Sequence, residues 1–253
     1  FHRTIKPVIR SWRGMRLPSK SSPLDAIFRA ITILQCLAVG TVLLTYAYGG
    51  LYSRYLADDY CASVLLISSP TLLGSTLEGY NTWFNAYTIL FFVQLVDWAG
   101  IWGFRLMSGA TILLWTASLT WLFDEIGRVL KVRLGMIVNL WLAGSIVFLS
   151  LYQAPNLYQI LYWRTSLIPY TLPLVFFIGT AASLLRYARQ PYKNPRVWRT
   201  GLITMLLVFA ASGLGETTSA MQIGLLFAAS AVVWLTKPLH RRNDILYILL
   251  ASL

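Results

Sequence analysis

Two adjacent carboxylates, Asp58 and Asp59, stand in the run Tyr55-Leu-Ala-Asp-Asp-Tyr-Cys61, just past a long apolar stretch. A carboxylate so placed can take the proton of a hydroxyl nucleophile, or join its neighbour in holding a divalent cation such as Mg or Mn through oxygen ligands. It can equally cap a helix over 61–67, because aspartate suits that position and its charge suits the positive end of the helix dipole. Neighbouring aspartates can also divide these duties between them.

Three further groups are candidates for a site. Arg164 lies beside Trp163 and Ser166; its guanidinium suits a phosphate, through paired hydrogen bonds that a lysine could not copy. It suits a partner carboxylate, or snorkelling to the interface, about equally well. Glu216 lies in the middle of the otherwise apolar stretch 201–235. An ionisable group at such depth is expensive and is a functional hypothesis by default, although the start of a helix would also account for a carboxylate. Tyr80, Trp83, Phe84 and Tyr87 form an aromatic cluster that fits a membrane-boundary belt, or a surface against which a sugar ring or lipid chain packs. The chain carries no Walker loop, His-Glu-x-x-His, nucleophile elbow or Cys-x-x-Cys pair. P-loop hydrolysis and zinc proteolysis are unsupported.

The elements that must position these groups follow from composition. The 253 residues are 57% hydrophobic and only 12% charged, with a mean hydropathy of +0.62, where a soluble domain carries about 25% charged residues. The expected solvent is the bilayer, and the length of the apolar runs selects helices rather than barrel strands. The predicted fold is an all-α polytopic helical bundle with about seven spans, at 27–51, 104–123, 135–152, 168–185, 201–214, 218–235 and an incomplete 245–253. Between the first two lies a long outward loop, 52–103, broken at Ser68-Ser69-Pro70 and containing an interfacial helix at 88–96. Pro169 and Pro173 mark a distorted first turn of the helix that follows.

If 88–96 lies in the interface, all of the 21 Lys and Arg except Arg54, Arg105 and Arg164 fall on the side of the N-terminus. The positive-inside rule then puts the N-terminus in the cytoplasm, the two histidines, His2 and His240, on that side, and the acidic loop outside. A formal charge of +12 could indicate nucleic acid, but this placement between apolar runs favours membrane lipid as the partner and argues against nucleic acid. Residues 1–26 are expected to form a basic cytoplasmic amphipathic segment: Arg3, Lys6, Arg10, Arg13 and Arg16 recur opposite Ile5, Ile9, Trp12 and Met15. The remaining 27–253 form the transmembrane domain, its first run a retained signal-anchor and its C-terminal end incomplete. Cys36 and Cys61 sit at different depths and make a poor disulfide pair.

The acidic turn Asp58-Asp59-Tyr60-Cys61, the run 80–85 with its central Trp83, the stretch Leu161-Tyr162-Trp163 through Ser166 to Tyr170-Thr171-Leu172-Pro173, and Gly215-Glu216-Thr217 follow one another on one side of the membrane. In this order they resemble the GT-C superfamily of integral-membrane glycosyltransferases, in particular a bacterial GT-C-like family of largely uncharacterised members. The resemblance covers about 52–235. It implies transfer of a sugar from a polyprenyl-phosphate donor to an acceptor hydroxyl at the outer face of a bacterial cytoplasmic membrane. Asp58 or Asp59 would be the base or metal ligand, and Arg164, Arg105, Glu216, Trp83, Trp163 and Tyr170 would bind the donor or substrate. The chain departs from the pattern at Asn85-Ala86, where a Gly-Arg pair is expected. Phosphate holding then falls to Arg164 or Arg105, or activity is lost. The alternative is a non-catalytic scaffold or accessory subunit that keeps the fold and holds protein partners; a transporter, motivated by Glu216, comes third.

Overall fold

A computed structural model describes residues 23–132, 134–190 and 197–236. Every regular element among them is helical, and there are ten α-helices: α1 Pro23–Gly49, α2 Asp58–Ser68, α3 Leu72–Thr82, α4 Tyr87–Trp98, α5 Gly100–Leu130, α6 Met136–Tyr152, α7 Arg164–Tyr170, α8 Leu172–Arg189, α9 Val197–Ser212 and α10 Glu216–Thr236. A short 3₁₀ turn, Gly50–Tyr52, ends α1, and a π-type turn, Tyr158–Tyr162, precedes α7.

Three segments, Pro23–Tyr52, Gly100–Leu130 and Arg164–Arg189, are long and apolar enough to cross a bilayer. The pair α2–α3, bent by 118°, would make a fourth as a broken span or a re-entrant loop. The chain is thus a helical membrane protein. Each expected span within the described residues coincides with a helix, but α6 and α9, at 17 and 16 residues, are shorter than the ~20 that a perpendicular crossing needs. Length and composition therefore qualify three or four spans where the sequence predicts seven. The expected piece at 245–253 and the basic segment before residue 23 lie outside the described residues, as do His2 and His240. The stretch expected as a long first loop is filled by α2, α3 and α4. The 12-residue α4 is too short for a perpendicular crossing.

Helix starts and stops follow local chemistry. The Thr71 hydroxyl caps α3 by accepting from the Gly74 N–H at 3.1 Å. Helix α5 ends where Lys131 turns left-handed (φ 60°) and the Val132 N–H reaches back to the Gly127 carbonyl. Pro173 enters the first turn of α8, where its missing N–H costs nothing, while Pro169 sits inside the short α7 and separates it from α8.

Helix α5 is central, packing against α1, α4, α6 and α8. The core, built around Leu43, Val93, Met107, Trp115, Val147, Leu167 and Val175, draws on all of these helices and α7. With no hydrophobic drive between helices in lipid, close approach at small residues and buried hydroxyl bonds must hold them. A β-carbon at Gly144 would lie 3.3 Å from Val39, and one at Gly50 would lie 2.7 Å from Ser108. The Ser183 and Thr204 hydroxyls share a buried 2.7 Å bond between α8 and α9. Along α1, Leu24, Phe28, Leu34, Leu37 and Leu44 are exposed, large apolar side chains of the kind that lipid covers.

Candidate functional site: a buried arginine behind the acidic turn

One end of the bundle gathers the end of α1, helices α2 to α4, the start of α5 and α7. The Ser108 hydroxyl donates to the Leu161 carbonyl at 2.7 Å, and the Tyr162 hydroxyl donates to the Tyr46 carbonyl at 3.0 Å. These bonds seat the π-type turn against α1 and α5 and deliver Arg164, the first residue of α7, into the interior.

There Arg164 is fully buried. Its Nε donates to Asp59 Oδ1 at 3.2 Å, its Nη2 to the Asp59 carbonyl at 2.7 Å and its Nη1 to Asp97 Oδ1. The guanidinium also lies 5.5 Å from the Tyr55 ring centroid and 5.8 Å from that of Phe104, contacts that favour a desolvated cation. Asp59 accepts in addition from the Thr165 N–H at 3.2 Å and, through Oδ2, from the Leu56 N–H at 3.0 Å. Asp97 accepts from the Tyr55 hydroxyl and the Ser63 hydroxyl, each at 3.0 Å. Burial first, then the Asp97 carboxylate it bonds to, pushes the Tyr55 phenol above the ordinary tyrosine value. The cluster carries two carboxylates against one guanidinium, and each charged group is multiply hydrogen-bonded, as burial demands.

Asp58 behaves differently from its neighbour. It opens α2 and is exposed, whereas Asp59, one residue on, is fully buried. The turn before them is strained: Ala57 has φ 44° and ψ −112°, a region that a side chain with a β-carbon rarely adopts. The reciprocal bonds between residues 56 and 59 hold that turn, with the Asp59 N–H donating back to the Leu56 carbonyl at 2.9 Å. Neither aspartate caps the helix with its side chain: α2 starts at Asp58 itself, and Ala57 holds the cap position. Asp59 is the structural member, and Asp58 is the carboxylate free to meet a solute.

The two carboxylates do not form a cation cradle, since one faces out and the other is committed to Arg164 and two N–H donors. No group of three or more His, Cys, Asp or Glu residues among the described residues is placed to hold a metal ion.

The other expected site residues are dispersed. Arg164 is sealed, which corrects its assignment to a donor phosphate: it is the partner of carboxylates. Arg105 is half-buried, stacks its guanidinium 5.5 Å from the Trp102 ring centroid, and has an Nε without a hydrogen-bond partner. Trp163 caps α7 and its indole N–H has no partner. Trp83 and Tyr170 are exposed. Glu216 is exposed at the first residue of α10. The turn before it packs on the start of α4, where Thr88 and Ile89 N–H groups donate to the Gly213 carbonyl and the Tyr87 hydroxyl donates to the Phe209 carbonyl at 2.7 Å. Arg164 meets the far end of α4, about 15 Å along at 1.5 Å per residue. The structure thus joins Asp59 to Arg164 and leaves Asp58 beside them; it does not bring Glu216 into the cluster.

Sequence reasoning missed Asp97. The signal was available, because Asp97 is the one charged side chain in the stretch 79–104, the same kind of evidence that singled out Glu216. Gln94, fully buried on the same helix, donates to the Ala62 carbonyl at 3.0 Å and was equally legible as a polar group in an apolar run.

Comparison with known protein families, with curated proteins and with solved structures gave no match to this chain.

Proposed function

We propose that this chain is a multi-pass membrane glycosyltransferase of the GT-C kind, acting at the outer face of a bacterial cytoplasmic membrane. In this reading its N-terminus is cytoplasmic and its helices make seven spans. Asp58 takes the proton of an acceptor hydroxyl as that oxygen attacks the anomeric carbon of a polyprenyl-phosphate sugar. The carbon–oxygen bond to phosphate breaks, polyprenyl phosphate departs with the bonding electrons, and the single displacement inverts the anomeric centre. Arg105, half-buried at the start of α5, is the cation suited to steady the departing phosphate, a role that Arg164, fully enclosed, cannot take. Trp83 and Tyr170 offer exposed ring faces for sugar or lipid.

The observation that carries this reading is the Asp59–Arg164–Asp97 lock. It ties the acidic turn, the interfacial helix and α7 into one unit, so that Asp58 is held outward on a rigid support, as a positioned base requires. Resemblance supplies the substrate class. A scaffold reading draws on the closure of the same cluster: its hydrogen bonds are made within the protein, as they would be in a chain that kept the framework alone. Transfer from a panel of radiolabelled polyprenyl-phosphate sugars, measured on the purified full chain in proteoliposomes, separates the two. Turnover with any donor supports the transferase, and none with all of them supports the scaffold.

A further inference from the structure

At the opposite end of α5, some 24 residues from Phe104 and so about 36 Å along the helix, lies a pocket of about 590 Å³ between the end of α5, the start of α6 and the end of α8. Its lining includes three cations, Arg128, Lys131 and Arg189, and one carboxylate, Asp124. Arg128 pairs with Asp124 at 2.7 Å, and Arg189 pairs at 2.9 Å with Glu125, which is 2% exposed. Lys131 has no ion-pair partner among the described residues, so the lining is left with an excess of positive charge. Asn139, also 2% exposed, lines the same pocket, and its Oδ1 has no hydrogen-bond partner. An orphaned buried acceptor calls for a donor.

An apolar groove of about 380 Å³ along α5 and α6 shares Asp124 with this pocket and is lined by Leu113, Ala117, Trp121, Met136 and Leu140 among others. There the Trp121 indole N–H is buried without an acceptor. Along α5 from its C-terminal end inward come the Arg128 cation with Lys131 just beyond it, then the Trp121 donor, then Ala117 and Leu113, with the Asn139 acceptor supplied from α6. A glycerophospholipid has the complementary order: a phosphate with a hydroxyl- or amine-bearing head group, then ester carbonyls, then acyl chains.

We infer that this pocket and groove bind one glycerophospholipid, with its phosphodiester against Arg128 and Lys131, a head-group O–H or N–H on Asn139 Oδ1, an ester carbonyl on the Trp121 N–H, and an acyl chain along α5 and α6. The site is independent of the transferase reading. It discriminates by head group, because phosphatidylcholine carries a phosphodiester but no N–H or O–H to give Asn139.

The test uses the full chain purified in a lipid-free detergent, with binding measured by native mass spectrometry and by the shift in melting temperature. The titrants are phosphatidylglycerol, phosphatidylethanolamine, phosphatidylcholine and sn-glycerol 3-phosphate. Phosphatidylglycerol and phosphatidylethanolamine should bind about five- to tenfold more tightly than phosphatidylcholine, the worth of one hydrogen bond. Glycerol phosphate, without chains, should give no shift at the same concentration. Asn139→Leu should erase the preference over phosphatidylcholine while leaving the lipid-free melting temperature the same or higher, because it removes an unpaired buried polar group. Lys131→Gln should weaken phosphatidylglycerol. Equal binding of all three lipids by the wild type, or a preference that survives Asn139→Leu, overturns the inference. A shift from glycerol phosphate as large as that from the lipids makes the site one for a soluble phosphate and overturns it equally.

Discussion

Replacing Arg164 by methionine removes one charge and strands two. The Asp59 and Asp97 side chains are 0% and 3% exposed, so neither carboxylate can recover water. With a charge separation of about 4 Å and an effective dielectric of about 20, each lost attraction is worth about 4 kcal/mol. The N–H and O–H donors on both carboxylates survive and offset part of this. The net cost expected for breaking a buried pair is about 3–5 kcal/mol. The triple variant Asp59→Asn, Asp97→Asn, Arg164→Met has no stranded charge and should recover most of the loss, because neutral replacement of a buried ionic group is often neutral or stabilising. The assay is equilibrium unfolding in mixed micelles, followed by tryptophan fluorescence. An R164M cost below about 1 kcal/mol, or a triple variant no better than the single one, would refute the claim that these three groups form one buried electrostatic unit.

Ala57→Gly should raise stability by about 1 kcal/mol, since glycine adopts the φ of 44° found there without the strain that alanine bears; an unchanged or lower unfolding midpoint would contradict that strain. Cys61 is exposed one turn from Asp58, whereas Cys36 lies half-buried within α1. A membrane-impermeant maleimide should therefore label Cys61 from outside intact cells and leave Cys36 unmodified, and labelling of Cys61 only after the membrane is opened would reverse the topology. The Tyr55 phenol, raised above 10.0 by burial and by Asp97, should contribute stability that is fully present below the ordinary tyrosine value and lost as pH rises through its higher folded value. Tyr55→Phe should abolish that alkaline loss in melting curves, and identical curves for wild type and variant would remove the bond from the account.

Much of the helical framework was legible because lipid leaves the backbone few options. The runs 27–51 and 104–123 each fall on a long helix, and 168–185 falls on α8 and the end of α7, across the break that Pro169 marks. The pairing of Asp59 with Arg164 was half-visible, since a guanidinium among apolar runs needs a carboxylate, and the acidic turn was the nearest candidate in kind. What periodicity could not supply was direction. Asp58 and Asp59 are equivalent as letters, and only the turn at Ala57, fixed by the bonds between residues 56 and 59, sends one outward and the other inward. Asp97 escaped because it closes an apolar run and reads as the helix's polar end. The bend of 118° between α2 and α3 was marked in sequence by Ser68-Ser69-Pro70 as a break, but its angle is set by packing onto α4. Glu216 was drawn into the site by its isolation, yet its helix starts at the other end of α4.

The central claim, that Asp58 is a base held in place by a structural Asp59, is tested most directly by turnover of Asp58→Asn beside Asp58→Glu and Asp59→Asn, with unfolding midpoints measured on the same preparations. Asparagine keeps the volume and the helix-start character of aspartate but cannot take a proton, so Asp58→Asn should lose roughly 10²–10⁴-fold in turnover at an unchanged midpoint. Asp58→Glu should recover part of that turnover, while Asp59→Asn should lower the midpoint by weakening the Arg164 cluster. Full turnover in Asp58→Asn, or a loss matched by an equal fall in its midpoint, would contradict the account.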